Sequence, residues 1–213
     1  MTFTVMARCP ESGRFGMCTT SFSPIAGSRV SGFEPAQGAL AIMSFAAPAL
    51  VLFGQRLLRQ GLSADAVLDA LLRNDPYPEH RQIGILDARG GVAARTGSAA
   101  VPFAEHRCGA NFIVLGNVVA SQAVIDAMYA SFIAVTEPSL PQRLLKAVEA
   151  GRDAGGQLDG QRSAFLRLSD PGREHLLLDL RVDFADEPVG ELRGVFEGVL
   201  ARDPALGEEI IGV

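Results

Sequence analysis

The chain has 213 residues, 48% of them hydrophobic and 20% charged, with a formal net charge of -5. Such a length and composition can bury a substantial core and favour one domain spanning 1–213 over two. Charges of both signs are mixed along the sequence with no basic stripe, which argues against a nucleic-acid partner.

The opening residues, MTFTVMAR, lack the basic flank and apolar run of a secretory signal, so a folded cytoplasmic domain is expected from the first residues. Phe3, Val5 and Ala7 alternate with Thr2, Thr4 and Met6, the period of a strand with two unlike faces. Pro10 to Gly13 reads as a turn, and a second strand from about Arg14 to Phe22 closes a hairpin. Centring the turn there places Thr2 opposite Ser21 and Thr4 opposite Thr19, so one face carries four hydroxyls. A slip of one residue would scatter them.

The segment from Ser23 to Gln37 is rich in Gly, Ser and Pro and reads as a long loop, a feature that tends to border sites. A third buried strand follows near Ala39 to Phe45. The apolar stretch from Ala39 to Phe53 contains Ser44 and Pro48 and falls short of the ~20 residues that cross a bilayer, so no membrane partner is expected. Pro48 suits the first turn of a helix that runs to about Gln60 and stops at Gly61. Ser63 caps the next helix, with Val67, Leu68, Leu71 and Leu72 as its apolar stripe.

Strands from Arg81 to Leu86 and from Val92 to Thr96 flank the turn Asp87 to Gly91, and Asn111 to Val119 forms another strand. Helices follow from Ser121 to Phe132 and from Ser139, where Gln142 completes a capping-box pattern. Strands near Ala164 to Leu168 and His175 to Val182 precede a last helix, Glu187 to Leu200, capped by Asp186. Gly190, Gly194 and Gly198 recur along that helix at ~1 kcal/mol each relative to Ala, a smooth strip suited to another helix or a second subunit. Hairpins imply antiparallel sheets whose apolar faces the helix pairs must cover.

The segments TFTVMARCPESGRFGM, DPYPEHRQIGILDARGGVAARTGS, GANFIVLGNVVAS, AGGQLDGQRSA and LDLRVDFADEPVGELRGVF together resemble a bacterial family of unknown function that is grouped with the N-terminal-nucleophile hydrolases. The resemblance implies an α+β fold: a four-layer αββα sandwich of two antiparallel sheets flanked by helix pairs. It also implies a Thr, Ser or Cys at the mature N-terminus whose own α-amino group is the base. An α-amino group titrates near pH ~7.7–8.0, so a useful fraction is free at neutrality. Thr2 occupies that position once Met1 is removed. Against the family's usual pattern, Cys9 replaces an acidic residue, Ser21 a basic one, Ser44 a Gln and Arg95 a His.

The candidate site is therefore Thr2 as nucleophile, with Asn117, a polar residue in an apolar strand, as an oxyanion donor. A structural hydrogen bond is the equal alternative for Asn117. Thr20, Ser21 and Ser44 are candidates for substrate contact. His80, Arg81 and Arg95 come to one end of the middle hairpin, where two guanidinium groups would repel unless a carboxylate sat between them. The alternative is that Asp75 or Glu79 neutralises them. Arg162 lies in a Gly-rich turn and is a candidate rim residue. His106 and Cys108 lack further ligands nearby, no phosphate loop is present, and no cofactor or metal is expected. Three cysteines, Cys9, Cys18 and Cys108, without paired spacing fit a reducing compartment.

The leading expectation is an amide hydrolase acting on a small carboxylate-bearing metabolite, and the alternative is a non-catalytic binding or assembly protein on the same fold. A homo-oligomer, most simply a dimer, is expected from the resemblance and the glycine-lined helix.

Overall fold

A computed structural model describes residues 1–134 and 139–211. The chain is α+β, and the described residues form two antiparallel sheets and six α-helices. Strands β1 (Thr2–Arg8) and β2 (Phe15–Ser21) form the first hairpin. β3 (Ser31–Glu34) and β4 (Gly38–Ser44) form a second, followed by helices α1 (Pro48–Arg59) and α2 (Ala64–Asn74). β5 (Arg81–Asp87), β6 (Val92–Thr96), β7 (Ala104–Gly109) and β8 (Phe112–Asn117) come next. Helices α3 (Gln122–Ile133) and α4 (Leu140–Asp153), strands β9 (Ser163–Ser169) and β10 (Leu176–Val182), and helices α5 (Pro188–Arg202) and α6 (Pro204–Ile211) complete the chain.

One sheet has the order β10-β9-β2-β1-β8-β7 and the other β3-β4-β5-β6. Side-chain alternation assigns each face. Met6, Phe15, Met17, Ile113, Leu115 and Phe165 of the larger sheet pack against Phe33, Ala39, Ala41, Met43 and Leu86 of the smaller. On the opposite face of the larger sheet, Phe3, Val5, Ala7, Val114 and Leu166 meet α3, α4, α5 and α6. Leu40, Ile42, Ile83 and Ile85 on the far side of the smaller sheet meet α1 and α2. Both sheets are thus apolar on both faces, and the polar residues that remain on the inter-sheet face are conspicuous.

The first hairpin has the predicted register, Thr2 opposite Ser21 and Thr4 opposite Thr19. Gly13, at φ +71°, supplies the left-handed residue its turn needs. Serine caps start α2, α3 and α4: the hydroxyls of Ser63, Ser121 and Ser139 accept from the backbone N–H groups of Ala66, Ala123 and Gln142.

Several expectations need correction. The segment 23–37 contains a 3-10 turn (Ala26–Ser28) and the edge strand β3. β7 is a second unpredicted strand, half-exposed and polar in composition as an edge strand can be. α6 was not predicted. Asp186 does not cap α5, whose N-cap is Glu187 with no side-chain hydrogen bond; Asp186 instead pairs with Arg162. The helices do not divide into two pairs, because the larger sheet carries four of the six. A Cβ added at Gly190, Gly194 or Gly198 would meet nothing within 4 Å, so among the described residues nothing packs directly on that strip. Among the described residues no helix is long and apolar enough to cross a membrane.

Candidate functional site

Thr2 is the first residue of β1, a central strand flanked by β2 and β8. Its partners in register are Ser21 on one side and Asn117 on the other, and all three side chains point between the sheets. The Thr2 hydroxyl lies 3.1 Å from Ser21 Oγ. Ser21 Oγ donates to the Met1 carbonyl at 2.7 Å and accepts from the Ser23 N–H at 3.1 Å. With the single Ser21 proton committed to Met1, the Thr2 hydroxyl is the donor in its contact with Ser21.

A cleft of about 190 Å³ opens over this corner, lined by Met1, Thr2, Ser21, Ser23, Arg29, Met43, Ser44, Phe45 and neighbouring alanines and valine. This is smaller than the ~300–1,000 Å³ of pockets that enclose drug-sized ligands. Among the described residues two cations border it and no carboxylate does: the Arg29 guanidinium, exposed and in no ion pair, and the Met1 α-amino group. Burial lowers the pKa of that amine below its ordinary value, because the charged form loses hydration.

Asn117 is fully buried and is not part of the cleft wall. Its Nδ2 donates to Gln82 Oε1 at 3.0 Å, across the space between the sheets. Gln82 Nε2 in turn lies within 3.0 Å of Thr96 Oγ1 and the carbonyls of Glu105 and Gly116. Thr96 Oγ1 meets His106 Nδ1 at 2.9 Å. The side chain of Gln82 thereby ties β5 to β7 and β8. Replacing it by Met, close in shape and without polar atoms, strands the Asn117 amide in an apolar interior. We expect a loss of ~2–4 kcal/mol, read as a lower urea midpoint at unchanged slope. Asn117 Oδ1 has no partner among the described residues and is the one unsatisfied polar atom beside Thr2.

Several candidate residues lie elsewhere. Arg81 shares a sheet face with Ile83, and Arg95 stands opposite Ile83, so both point to the α1/α2 side, away from the cleft. Arg81 is buried and grips Asp75 through two hydrogen bonds, Nε to Oδ2 at 2.7 Å and Nη2 to Oδ1 at 3.0 Å. Arg95 pairs with Glu79, whose carboxylate also accepts from the N–H and hydroxyl of Ser98. The acidic neighbours neutralise these arginines, and no substrate carboxylate is needed between them. Thr20 faces the α4 side of the sheet, where its hydroxyl donates to the Ser163 carbonyl at 2.9 Å. Arg162 pairs with Asp186 at 3.0 Å outside the cleft, and its backbone N–H holds the Ser21 carbonyl at 2.7 Å. His80 is exposed and stands behind Phe45.

Of the residues singled out in the sequence, the cleft gathers Thr2, Ser21 and Ser44; it adds Arg29, Ser23 and Phe45. No group of three or more His, Cys, Asp or Glu side chains among the described residues is placed to hold a metal ion.

The family model described as a family of unknown function, DUF1028, matches residues 2–192, and the chain belongs to that family. The crystal structure of a Silicibacter pomeroyi protein of the same family superposes with a TM-score of 0.87. It is 27% identical, and the match covers 96% of this chain and 88% of that one. More distant are two Anbu structures, a Gly-1 mutant from Hyphomicrobium sp. strain MC1 and an ancestral beta-subunit from Yersinia bercovieri. Their TM-scores are 0.46 and 0.43 at 11% and 12% identity, over 96% and 93% of this chain and 97% and 95% of theirs. None of the curated proteins compared with the chain matches it.

Proposed function

We propose that the chain is an αββα hydrolase of the N-terminal-nucleophile type, cleaving an amide bond in a small metabolite that carries a carboxylate. The observation that carries this reading is the placement of Thr2: the second residue, buried, with its hydroxyl on the inter-sheet face, in the wall of a cleft that is edged by Arg29 and, among the described residues, has no ion partner for that arginine and no acidic side chain in its lining.

Removal of Met1 gives Thr2 a free amine next to its own hydroxyl. The amine accepts the proton as Oγ1 attacks the amide carbonyl, the resulting ammonium returns a proton to the departing amine, and water then hydrolyses the ester formed on Thr2. Arg29 holds the substrate carboxylate. The Ser21 hydroxyl, now given to the Met1 carbonyl, is released as a donor to the tetrahedral oxyanion, a role worth ~3–4 kcal/mol. Asn117 takes a different part from the one its sequence context implied. Its unpartnered Oδ1 offers an acceptor to the Thr2 ammonium, while its Nδ2 remains with Gln82.

A carboxylate-bearing β-lactone tests the proposal without knowledge of the substrate. Attack by Thr2 Oγ1 opens the ring at its acyl carbon–oxygen bond, and the ring oxygen leaves as a hydroxyl after taking the amine-bound proton. Protein that begins at Thr2 is expected to gain one probe mass, mapped to residue 2, and Met1-bearing protein none. Equal labelling of both forms, or none of either, would overturn the mechanism and leave the binding-protein reading in its place.

A further inference from the structure

We propose that the rim of the Thr2 cleft carries a pre-organised aromatic platform, centred on Phe45, that receives a flat apolar group of the ligand next to the carboxylate held by Arg29. The inference deepens the reading of the cleft as a substrate site and rests on it. Phe45 lines the cleft and is 57% exposed. It is not loose. Phe45 meets Tyr77 and His80 edge on, with ring centroids at 6.4 and 6.5 Å, and those two rings meet each other at 6.3 Å.

Two further features fix the ring from behind. The Arg81 guanidinium donates to the Phe45 carbonyl and lies 4.8 Å from the centre of its ring, while its other nitrogens are locked on Asp75. Ser44, directly before Phe45, holds φ at +70°, in the left-handed region that a serine adopts only under constraint. That residue breaks the alternation of β4 and redirects the chain at the cleft mouth. A buried ion pair, a strained residue and an edge-on ring cluster thus converge on one exposed phenyl group. Arg81 is therefore a positioning residue, acting through Phe45.

Binding can be separated from chemistry by using full-length Thr2→Ala protein and two probes, 3-phenylpropionate and propionate, titrated by calorimetry or ligand-observed NMR. The aryl acid is expected to bind about tenfold more tightly than propionate, as one edge-on or stacked aromatic contact with its buried area allows. Adding Phe45→Ala is expected to bring that ratio close to one. Arg29→Gln is expected to weaken both probes and leave the ratio in place. Phe45 is exposed, so its replacement does not endanger folding. A ratio unchanged by Phe45→Ala, or failure of both acids to bind, would overturn the platform. Loss of β-lactone labelling with the ratio intact would instead strike only the hydrolytic step.

Discussion

Thr2→Ala is expected to reduce amide hydrolysis by the processed protein by a factor on the order of 10⁴ or more, the cost of deleting a catalytic nucleophile. The same change should cost little stability. It removes one methyl group and one hydroxyl whose partner, Ser21, keeps its hydrogen bond from the Ser23 N–H, so a loss of ~1 kcal/mol is expected. Thr2→Ser retains the hydroxyl and is expected to keep turnover within about tenfold of the parent.

The pH dependence supplies an independent check. The Met1 amine is depressed by burial, and an amine on Thr2 would sit one residue deeper in the same corner. Turnover should therefore rise with pH along a limb centred below ~8 and level off once the amine is neutral. An N-terminal acyl group on Thr2 should abolish that limb together with the activity. Full turnover in Thr2→Ala, or in protein that demonstrably retains Met1, would exclude this residue as the nucleophile.

Much of this corner was legible in the sequence because hairpins obey a simple rule. A turn fixed at Pro10 to Gly13 determines which residues face each other, and the face follows from period 2, so the Thr2 and Ser21 pairing required no long-range information. Asn117 announced itself as a polar residue in an apolar run. Its partner Gln82 did not, because contacts between stacked sheets leave no periodic trace in either strand.

Which of the two readings of Arg81 and Arg95 holds was hidden for a related reason. β5 is buried on both faces, with Ile83 and Ile85 on one and Leu86 on the other, so hydrophobic alternation could not say which face meets the second sheet. Asp75 and Glu79, six and two residues before Arg81, were the available sign that these cations are internally matched. Arg29 was overlooked inside a segment read only by composition, although a long loop bordering a site was anticipated there. Its signal was a lone arginine among Gly, Ser and Pro with no acidic residue close by except Glu34, which Arg59 occupies.

Asp75→Asn is expected to destabilise the protein by ~3–5 kcal/mol near neutral pH. The side chains of Asp75 and Arg81 are 0% and 5% exposed, and the substitution leaves a guanidinium buried without its counter-charge. The sign of the pH dependence follows from the carboxylate. The hydrogen bond from Arg81 holds the Asp75 pKa below the ordinary aspartate value, so the folded state binds its proton less readily than the unfolded chain. The stabilisation is complete above the unfolded pKa of ~3.9 and is lost as pH falls through the lower, folded value. Urea midpoints of parent and variant should accordingly differ widely at pH ~7 and converge as pH falls through the depressed, folded pKa of Asp75. The double variant Asp75→Leu, Arg81→Met removes both charges and is expected to recover most of the stability, because desolvating the pair offsets much of its attraction. It nevertheless lacks the guanidinium that holds the Phe45 carbonyl and stacks against its ring. A double variant that is stable but has lost the aryl preference would show that the buried pair serves the cleft rather than the core. One that kept the preference would leave Phe45 positioned by Tyr77 and His80 alone.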